Sequence, residues 1–445
     1  MENIKNDSYT KDKSRNSDQS LDTIKVYMFS LIGIIIFFIP IEVNNQINTI
    51  LYHISYFIEN KISNIINTSI IFFITLSILK NVINVEKSDI NKVLIFTKTF
   101  SLIILIFLFI GQEEMFFIDD SFILILKDLI VNLSIVFPIA SLFMPFLLDY
   151  GLVEITEAFT NKFMKSFFKV SGKVFLNFLV YLLVNNVCGA FVTYILYKDG
   201  KLREKECAIT ILNFSVLSIS LTTDLCYTID INLKKFLIME VLFLIICNII
   251  ITRIYPLNKK KQSYYFKSGH KNINCNKNRL NTAIKRYYEN KKDKKLISLS
   301  LSYLNDSIAI LMELIPIIVL IFFVGNIIYN IEIIMDAINF MIYEIVEKFN
   351  IPDSRSISNI ISLNFFNSIL ATENINKQIY NTSKIMIGLL ISTQCINISF
   401  LIPFINKFTL NISMSEIILV AIERLLIMIF VLLILYNFYL GYIIN

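Results

Sequence analysis

Polar side chains that could bind a small solute occur within stretches that are otherwise apolar. They form two matching groups, one in each half of the chain: Asn185, Asn186, Asn213, Ser215 and Ser218, then Asn364, Asn367, Thr393 and Gln394. Polar groups in a bilayer core are costly unless they are paired or face a cavity. We therefore predict that the two groups together line a solute pathway. Any single member could instead form an ordinary interhelical hydrogen bond.

Two carboxylates, Glu240 and Glu313, also lie within apolar stretches. An intramembrane acid can accept a coupling H⁺ or bind Na⁺, and it can equally pair with a neighbouring helix. Both are therefore candidate ion-coupling residues, and no other cofactor is expected. Glu423 and Arg424, adjacent in the last apolar stretch, are interpreted as a local structural pair or as residues near an interface.

Signatures of catalysis and of metal binding are missing from the sequence. It contains no CxxC pair, Walker motif, HExxH or GxSxG, and its two histidines, His53 and His270, have no evident partners. We therefore predict no enzyme, no catalytic residue and no metal site. The formal charge of +6 comes from basic residues beside apolar runs, which is typical of membrane segments rather than of nucleic-acid binding.

The amino-acid composition indicates that much of the chain is surrounded by lipid rather than by water. The 445 residues are 55% hydrophobic and 17% charged, whereas a soluble domain has about a quarter of its residues charged. Long apolar runs predict an all-α, polytopic membrane protein with about nine spans. The predicted spans are Val26–Val43, Ile62–Ile83, Val93–Gly111, Leu129–Leu148, Cys207–Thr222, Phe236–Ile254, Ile308–Tyr329, Ser383–Phe404 and Ile417–Leu440.

Two further segments, Leu152–Lys169 and Glu332–Lys348, have an amphipathic helical pattern. In the first, Leu152, Ile155, Phe159, Phe163 and Phe167 share one face, and Glu154, Glu157, Lys162, Lys165 and Lys169 share the other. Such helices can lie in the plane of the membrane interface. The alternative is a connecting helix packed on other parts of the protein.

The distribution of basic residues sets the expected orientation. We expect a disordered cytoplasmic tail at residues 1–25 and a basic cytoplasmic linker at 257–305, since Lys and Arg concentrate in cytoplasmic loops. The basic segment Lys198–Lys205 is also placed inside if Val174–Tyr197 enters the membrane, turns at Asn185–Gly189 and returns. A single crossing by these residues is the alternative, and charge asymmetry favours the re-entrant hairpin.

The same order of segments then recurs in the second half. Residues 26–111 form three N-terminal transmembrane helices, 129–256 a first repeat and 306–440 a second repeat, in which Ile357–Thr372 is a hairpin broken at Asn364 and Asn367. Because the first repeat starts outside and the second starts inside, the two are predicted to be inverted. Inverted repeats are a recurring plan of secondary transporters, with the binding site at the repeat interface near the midplane.

Three stretches resemble a known family. Phe29–Ile41, Met144–Glu154 and Asn213–Ile219 are similar to YjiH-type membrane proteins of the nucleoside-recognition, or Gate-domain, superfamily. The resemblance implies a helical Gate fold with paired re-entrant hairpins and a transport role. The chain departs from its relatives in having no GTP-binding domain, which argues against GTP-driven iron uptake. Its hairpin tips are rich in Asn where Gly and Ser are expected, so no substrate is carried over.

Together these features predict a multi-pass plasma-membrane protein that acts as a secondary transporter of a small polar solute, with nucleosides as one candidate. Its expected partners are membrane lipid and that solute, without nucleic acid, and a homo-oligomer is compatible with the sequence. The alternative is a non-transporting membrane scaffold of an envelope or spore-related complex.

Overall fold

Helices dominate the part of the chain that the structure describes. This computed structural model describes residues 24–43, 46–83, 89–110, 120–265, 279–290, 295–348, 351–366, 371–372, 374–375, 379–393, 404–405, 410 and 412–436. Within these ranges the extended elements are a two-stranded antiparallel sheet and one isolated bridge between Arg203 and Tyr264. The predicted all-α class is therefore confirmed. Of the predicted tail, 1–25, residues 1–23 lie outside the described residues, and residues 24 and 25 are helical.

The N-terminal region contains three helices, although the first is shorter than predicted. Helix α1 covers Ile24–Phe38, and the chain then forms strands β1, Pro40–Val43, and β2, Gln46–Thr49. Pro40 explains why the predicted span Val26–Val43 is wrong at its end, because proline lacks an amide donor and disfavours helix in the residue before it. The long helices α2 and α3 follow at Ile50–Ile83 and Asp89–Ile110.

The rest of the chain falls into two series of helices separated by a basic linker. The first series is α4 Asp120–Leu148, α5 Leu152–Phe168, α6 Lys173–Leu183, α7 Asn186–Lys198, α8 Glu204–Asn213, α9 Ile219–Ile229 and α10 Leu233–Ile251. In the linker, α11 covers Arg279–Asn290. The second series is α12 Leu296–Tyr329, α13 Glu332–Glu347, α14 Ser354–Phe366, α15 Asn381–Thr393 and α16 Met414–Leu435.

Three of these helices are long and apolar enough to cross a membrane: Ile123–Leu148 within α4, Leu296–Tyr329 and Met414–Leu435. A fourth candidate is the pair α5 and α6, if it is counted as one span despite a bend of 82°. The described residues thus define a helical protein with membrane-spanning candidates. The remaining predicted spans stay predictions.

The structure contains one helix break that the sequence analysis does not predict, and it lacks one that the sequence analysis does predict. The predicted span Cys207–Thr222 is interrupted, since α8 ends at Asn213 and α9 begins only at Ile219. Conversely, the predicted break at Asn364 is wrong because α14 continues through it to Phe366. A single asparagine lowers helix propensity only slightly, so it does not stop a helix whose apolar positions are buried. Asn367 and Gln394 lie outside the described residues.

Helices α6 and α7 form an antiparallel hairpin that turns where the sequence analysis expects a turn. The Asn177 side-chain amide donates to the Thr193 hydroxyl over 2.5 Å, and the Tyr181 ring packs on Gly189. These two contacts sit at equal distances along the chain on either side of Asn185, which caps α7 by accepting from the Cys188 amide at 2.7 Å. A Cβ atom at Gly189 would lie 2.5 Å from the Tyr181 ring, so only glycine permits this close packing.

Amphipathic helix α5 packs on other parts of the protein through a mixed apolar and acidic face. Met164 and Phe168 are buried together with Glu154 and Glu157, whereas the three phenylalanines Phe159, Phe163 and Phe167 are exposed. The packed face agrees with the alternative of a connecting helix, and the exposed phenylalanines agree with a helix at the membrane interface. The buried carboxylates pair with cations from α6, the turn after α7 and α11, and these contacts are described below.

Candidate functional site

The two series of helices meet at the interrupted helix between α8 and α9. Residues 214–218 are not helical there, so their backbone groups need partners other than a helical ladder. One partner comes from the second series, since the Leu217 amide donates to the Ser392 carbonyl over 2.8 Å. Ser392 is the penultimate residue of α15, so a break in one series touches a helix end in the other.

A buried arginine joins the same two helix ends. Arg424 of α16 is fully buried, and its guanidinium donates to the carbonyls of Leu212 at 3.2 Å, Ser215 at 2.5 Å and Thr393. Carbonyls at the end of a helix lack intrahelical partners, and a cation there also complements the helix dipole. Arg424 therefore caps the C-terminal end of α8 and also binds the carbonyl of Thr393, the last described residue of α15.

The sequence analysis assigned Arg424 to a local pair with Glu423, and the structure corrects this interpretation. The two side chains point in different directions, because Arg424 is buried whereas Glu423 is partly exposed. Arg424 could have been identified from the sequence because it is a charged residue within an apolar helix, and such a residue is by default a candidate functional residue.

Glu240 of α10 is the buried acid nearest to this meeting point. It has no exposed surface, and the Ser392 side chain is the polar group beside it. The Ser392 hydroxyl donates to the Leu389 carbonyl at 3.3 Å, and within the described part of the chain neither carboxylate oxygen of Glu240 makes a hydrogen bond of ordinary geometry. A carboxyl group in such a place is stable as the neutral acid or with a bound cation. Glu240 thus has the surroundings expected of an ion-coupling residue.

Several of the predicted solute-binding residues converge on the two helix ends. The Asn186 side-chain oxygen, at the hairpin tip, accepts from the Val216 amide at 3.1 Å. Asn364 of α14 donates to the Leu390 carbonyl of α15 over 3.5 Å. One member of each predicted group therefore contacts this region, Asn186 at the interrupted helix and Asn364 at α15.

The other predicted residues have mainly local roles. Asn213 donates to the Asn248 carbonyl of α10 at 3.3 Å, while Asn185 only caps α7. Ser218 is the first residue before α9 and is buried. The Thr393 hydroxyl donates to the Leu389 carbonyl over 2.5 Å. Side-chain oxygens that are buried without a hydrogen bond here belong to Asn213, Asn248, Thr222 and Asn364.

Glu313, the second predicted ion-coupling residue, lies elsewhere. It sits on the exposed side of α12 and not at the meeting of the two series. The structure therefore separates the two predicted acids, with Glu240 buried beside Ser392 and Glu313 at the surface. This difference makes Glu313 a matched control for experiments on Glu240.

A polar cavity of about 630 Å³ opens between the end of α12 and helices α13 and α14. Its lining includes Leu363, the residue before Asn364, so the cavity borders the helix that contacts α15. Ligand pockets commonly have volumes of about 300–1,000 Å³. The polar lining residues are Tyr329, Asn330, Glu332, Asp336, Asn339, Ser356, Asn359 and Asn374.

Fold and site define a class of protein: an α-helical chain with helices that are long and apolar enough to span a membrane. Comparison with known proteins adds one similarity, to an uncharacterized protein of Alkalihalophilus pseudofirmus that is 29% identical over 147 residues. The match covers 33% of this chain and 32% of the length of that protein. No family model and no solved structure matches the chain.

Proposed function

We propose that this chain is a multi-pass plasma-membrane protein that acts as a secondary transporter of a small polar solute, with nucleosides as a candidate class. The observation that carries the proposal is the meeting of α8 and α15 at Arg424, beside the buried carboxyl group of Glu240. Interrupted helices of this kind hold solute and coupling ions in transporters, because their free backbone groups lie near the bilayer midplane. The coupling ion is H⁺ or Na⁺.

The arrangement of the two series supports inverted repeats. Each series contains a long proline-containing helix, an amphipathic helix, a shorter helical segment and a final apolar helix in the same order. The first helices, α4 and α12, pack along each other and share a 2.9 Å hydrogen bond between Ser141 and Ser307. The last helices, α10 and α16, also pack together. Packing of first with first and last with last is what a two-fold relation between repeats produces.

The α6–α7 hairpin supports the re-entrant assignment. Its arms have 11 and 13 residues, or about 16 and 20 Å of helix, against a hydrocarbon core of about 30 Å. Lys173, at the start of the hairpin, donates to the carbonyl of Lys201 after its end, over 3.3 Å. The two ends therefore lie side by side. We infer that both are cytoplasmic, with the tip at Asn185 near the midplane.

This topology makes a labelling prediction. Lys198→Cys in a cysteine-free background should react with a membrane-impermeant maleimide only from the cytoplasmic side, since residue 198 is exposed near the base of the hairpin. Tyr227→Cys, 89% exposed near the end of α9, is the control and should react only from outside. Labelling of Lys198→Cys from the external side, with or without reversal of Tyr227→Cys, would contradict the re-entrant hairpin and the inverted repeats with it.

A non-transporting scaffold of an envelope or spore-related complex is the second candidate. The direct bond between the Leu217 amide and the Ser392 carbonyl favours it, because this bond ties the two helix ends to each other rather than to a solute. In a transporter the same bond belongs to one closed state and must open during the cycle. In a scaffold it stays formed.

Uptake into proteoliposomes distinguishes the two candidates. We expect wild-type protein to accumulate at least one member of a panel of labelled nucleosides, bases and cations when an H⁺ or Na⁺ gradient is imposed. Glu240→Gln should reduce gradient-driven accumulation by about tenfold or more, since a buried intramembrane acid is the group that exchanges the coupling ion. Glu313→Gln, at the exposed position, should retain it. Folded wild-type protein that takes up nothing across the panel would favour the scaffold.

A further inference from the structure

Helix α5 presents an aromatic stripe that nothing in the described part of the chain covers. Phe159, Phe163 and Phe167 follow one another at intervals of four residues, and they are 54%, 41% and 41% exposed. The rings of Phe163 and Phe167 lie 4.9 Å apart, so they form a continuous surface. Phe168, next to them in sequence, is buried against Phe214 instead.

The two acidic residues of α5, Glu154 and Glu157, are buried and do not contribute to this surface. Glu154 binds Lys201 at 3.0 Å, and Glu157 binds Arg286 of α11 at 3.2 Å and Lys173 at 3.9 Å. Both carboxylates are neutralised inside the protein, where their charges do not reach the exposed face.

The charged residues that remain at the surface of this helix are all basic. Lys162 and Lys165 are exposed on the side of the helix away from the three rings, and Lys169 is exposed at the C-terminal cap. Arg253 adds a further exposed cation there, because it donates to the carbonyls of Phe167 at 2.8 Å and Ser166 at 3.3 Å. The surface formed by these residues, which we call the α5 face, has the three phenylalanine rings on one side and the lysines on the other, with Arg253 at its C-terminal end.

The position of α5 suits the boundary of a bilayer. Its first residue follows the apolar helix α4 after a three-residue turn, and its last turn is held by Arg253 just beyond the apolar helix α10. The axis then bends by 82° into α6. The helix, about 25 Å long, therefore runs between the ends of two apolar helices and lies across the direction of α6.

We propose that the α5 face binds the bilayer surface, with its phenylalanine rings at the acyl boundary and its cations on anionic phospholipid headgroups. Amphipathic helices with aromatic and basic residues bind membranes in this way, and long Lys side chains can reach the headgroups from a buried helix. Negative surface potential is a property of the cytoplasmic leaflet, the side on which the topology above places this helix. The inference depends on the membrane location of the chain and not on transport.

A single-tryptophan experiment tests the proposal, because the natural chain contains no tryptophan. Phe163→Trp is reconstituted in phosphatidylcholine vesicles containing a fixed fraction of phosphatidylglycerol, with bromine on the acyl chains of one lipid or of the other. We expect strong quenching by brominated lipid, at least twofold stronger when the bromine is on phosphatidylglycerol at equal mole fraction. Quenching by aqueous acrylamide should be several-fold weaker than for Tyr265→Trp, which lies in the basic segment after α10.

Two further variants isolate the causes. Phe168→Trp, on the same helix but buried, should be shielded from both quenchers. Replacing Lys162, Lys165 and Lys169 together by Gln in the Phe163→Trp background should remove the preference for phosphatidylglycerol while leaving the protein folded, since all three are exposed.

Acrylamide quenching of Phe163→Trp at the level of Tyr265→Trp would overturn the proposal, as would shielding from both quenchers. Lipid quenching without a headgroup preference would overturn the anionic part. The quenching results expected here do not depend on transport, so they are the same if proteoliposomes show no solute uptake.

Discussion

Replacing Arg424 by leucine is expected to lower the free energy of unfolding by about 3 kcal/mol or more, because three buried carbonyls lose their donor. Two of these carbonyls, of Leu212 and Ser215, flank the end of α8, and the third belongs to Thr393 at the end of α15. No water can replace the donor in a dry interior, so each unsatisfied carbonyl carries a desolvation cost. Unfolding in mixed micelles, followed against the fraction of denaturing detergent, measures the change.

Two companion variants sharpen this test. Arg424→Lys keeps the charge but offers one ammonium in place of a planar fork with several donors, so it should lie between wild type and Arg424→Leu. Glu423→Gln changes the neighbouring, partly exposed residue and should unfold like wild type. Wild-type stability in Arg424→Leu would mean that the interrupted helices do not need this cap, and the site would lose its centre.

Replacing Lys201 by methionine is expected to cost about 3–5 kcal/mol of stability at neutral pH, because it leaves the buried carboxylate of Glu154 without its 3.0 Å partner. The second variant, Glu154→Gln together with Lys201→Met, removes both charges and should recover most of the loss. Detergent unfolding of the wild type and of both variants gives the comparison. Equal losses in the single and double variants would show that packing of Lys201, rather than its charge, is what matters.

The pH dependence of the same pair follows from the shifted pKa values. Burial is the largest single influence on the pKa of Glu154 and raises it, but the Lys201 ammonium, a backbone hydrogen bond and Lys173 together lower it to a net value below the ordinary 4.5. Burial lowers the pKa of Lys201, but Glu154, Asp149 and Asp199 together raise it to a net value above 10.5. The pair therefore stabilises the fold fully between about pH 4.5 and 10.5.

Outside this window the stabilisation is lost, as pH falls through the lowered pKa of Glu154 or rises through the raised pKa of Lys201. The stability difference between wild type and Lys201→Met should accordingly shrink as the pH is taken below 4.5. A difference that stays constant from pH 7 to strongly acidic pH would contradict the assignment of the effect to this ion pair.

The turn of the α6–α7 hairpin at Asn185 could be predicted from the sequence because charge asymmetry is a global pattern. Basic segments on both sides of Val174–Tyr197 required both ends to lie on one side. Contacts such as Asn177 with Thr193 then follow from local antiparallel packing. The side of the membrane on which the ends lie stays a prediction.

The interruption between Asn213 and Ile219 could not be predicted, because the run is long enough to span a membrane and its scattered Asn, Ser and Thr residues do not by themselves stop a helix. Tertiary contacts stabilise the interruption. The Ser392 carbonyl and the Arg424 guanidinium, about 180 and 210 residues away in sequence, replace the partners that a continuous helix would provide. At Asn364 the opposite error occurred, since asparagine suggested a break that burial of α14 against its neighbours overrides.

The sequence by itself determined that this chain is helical, apolar and divided into two series of elements, because composition and periodicity act through every residue of a helix. The tertiary structure alone decided which face of α5 is inside and where Arg424 goes. In both cases the partners that decide the placement are distant in sequence. The carboxylates of α5 pair with Lys201 and Arg286, and the Arg424 guanidinium binds carbonyls of α8 and α15. A buried charge takes its place from whichever partners the fold brings within hydrogen-bonding distance, and residue periodicity carries no information about them.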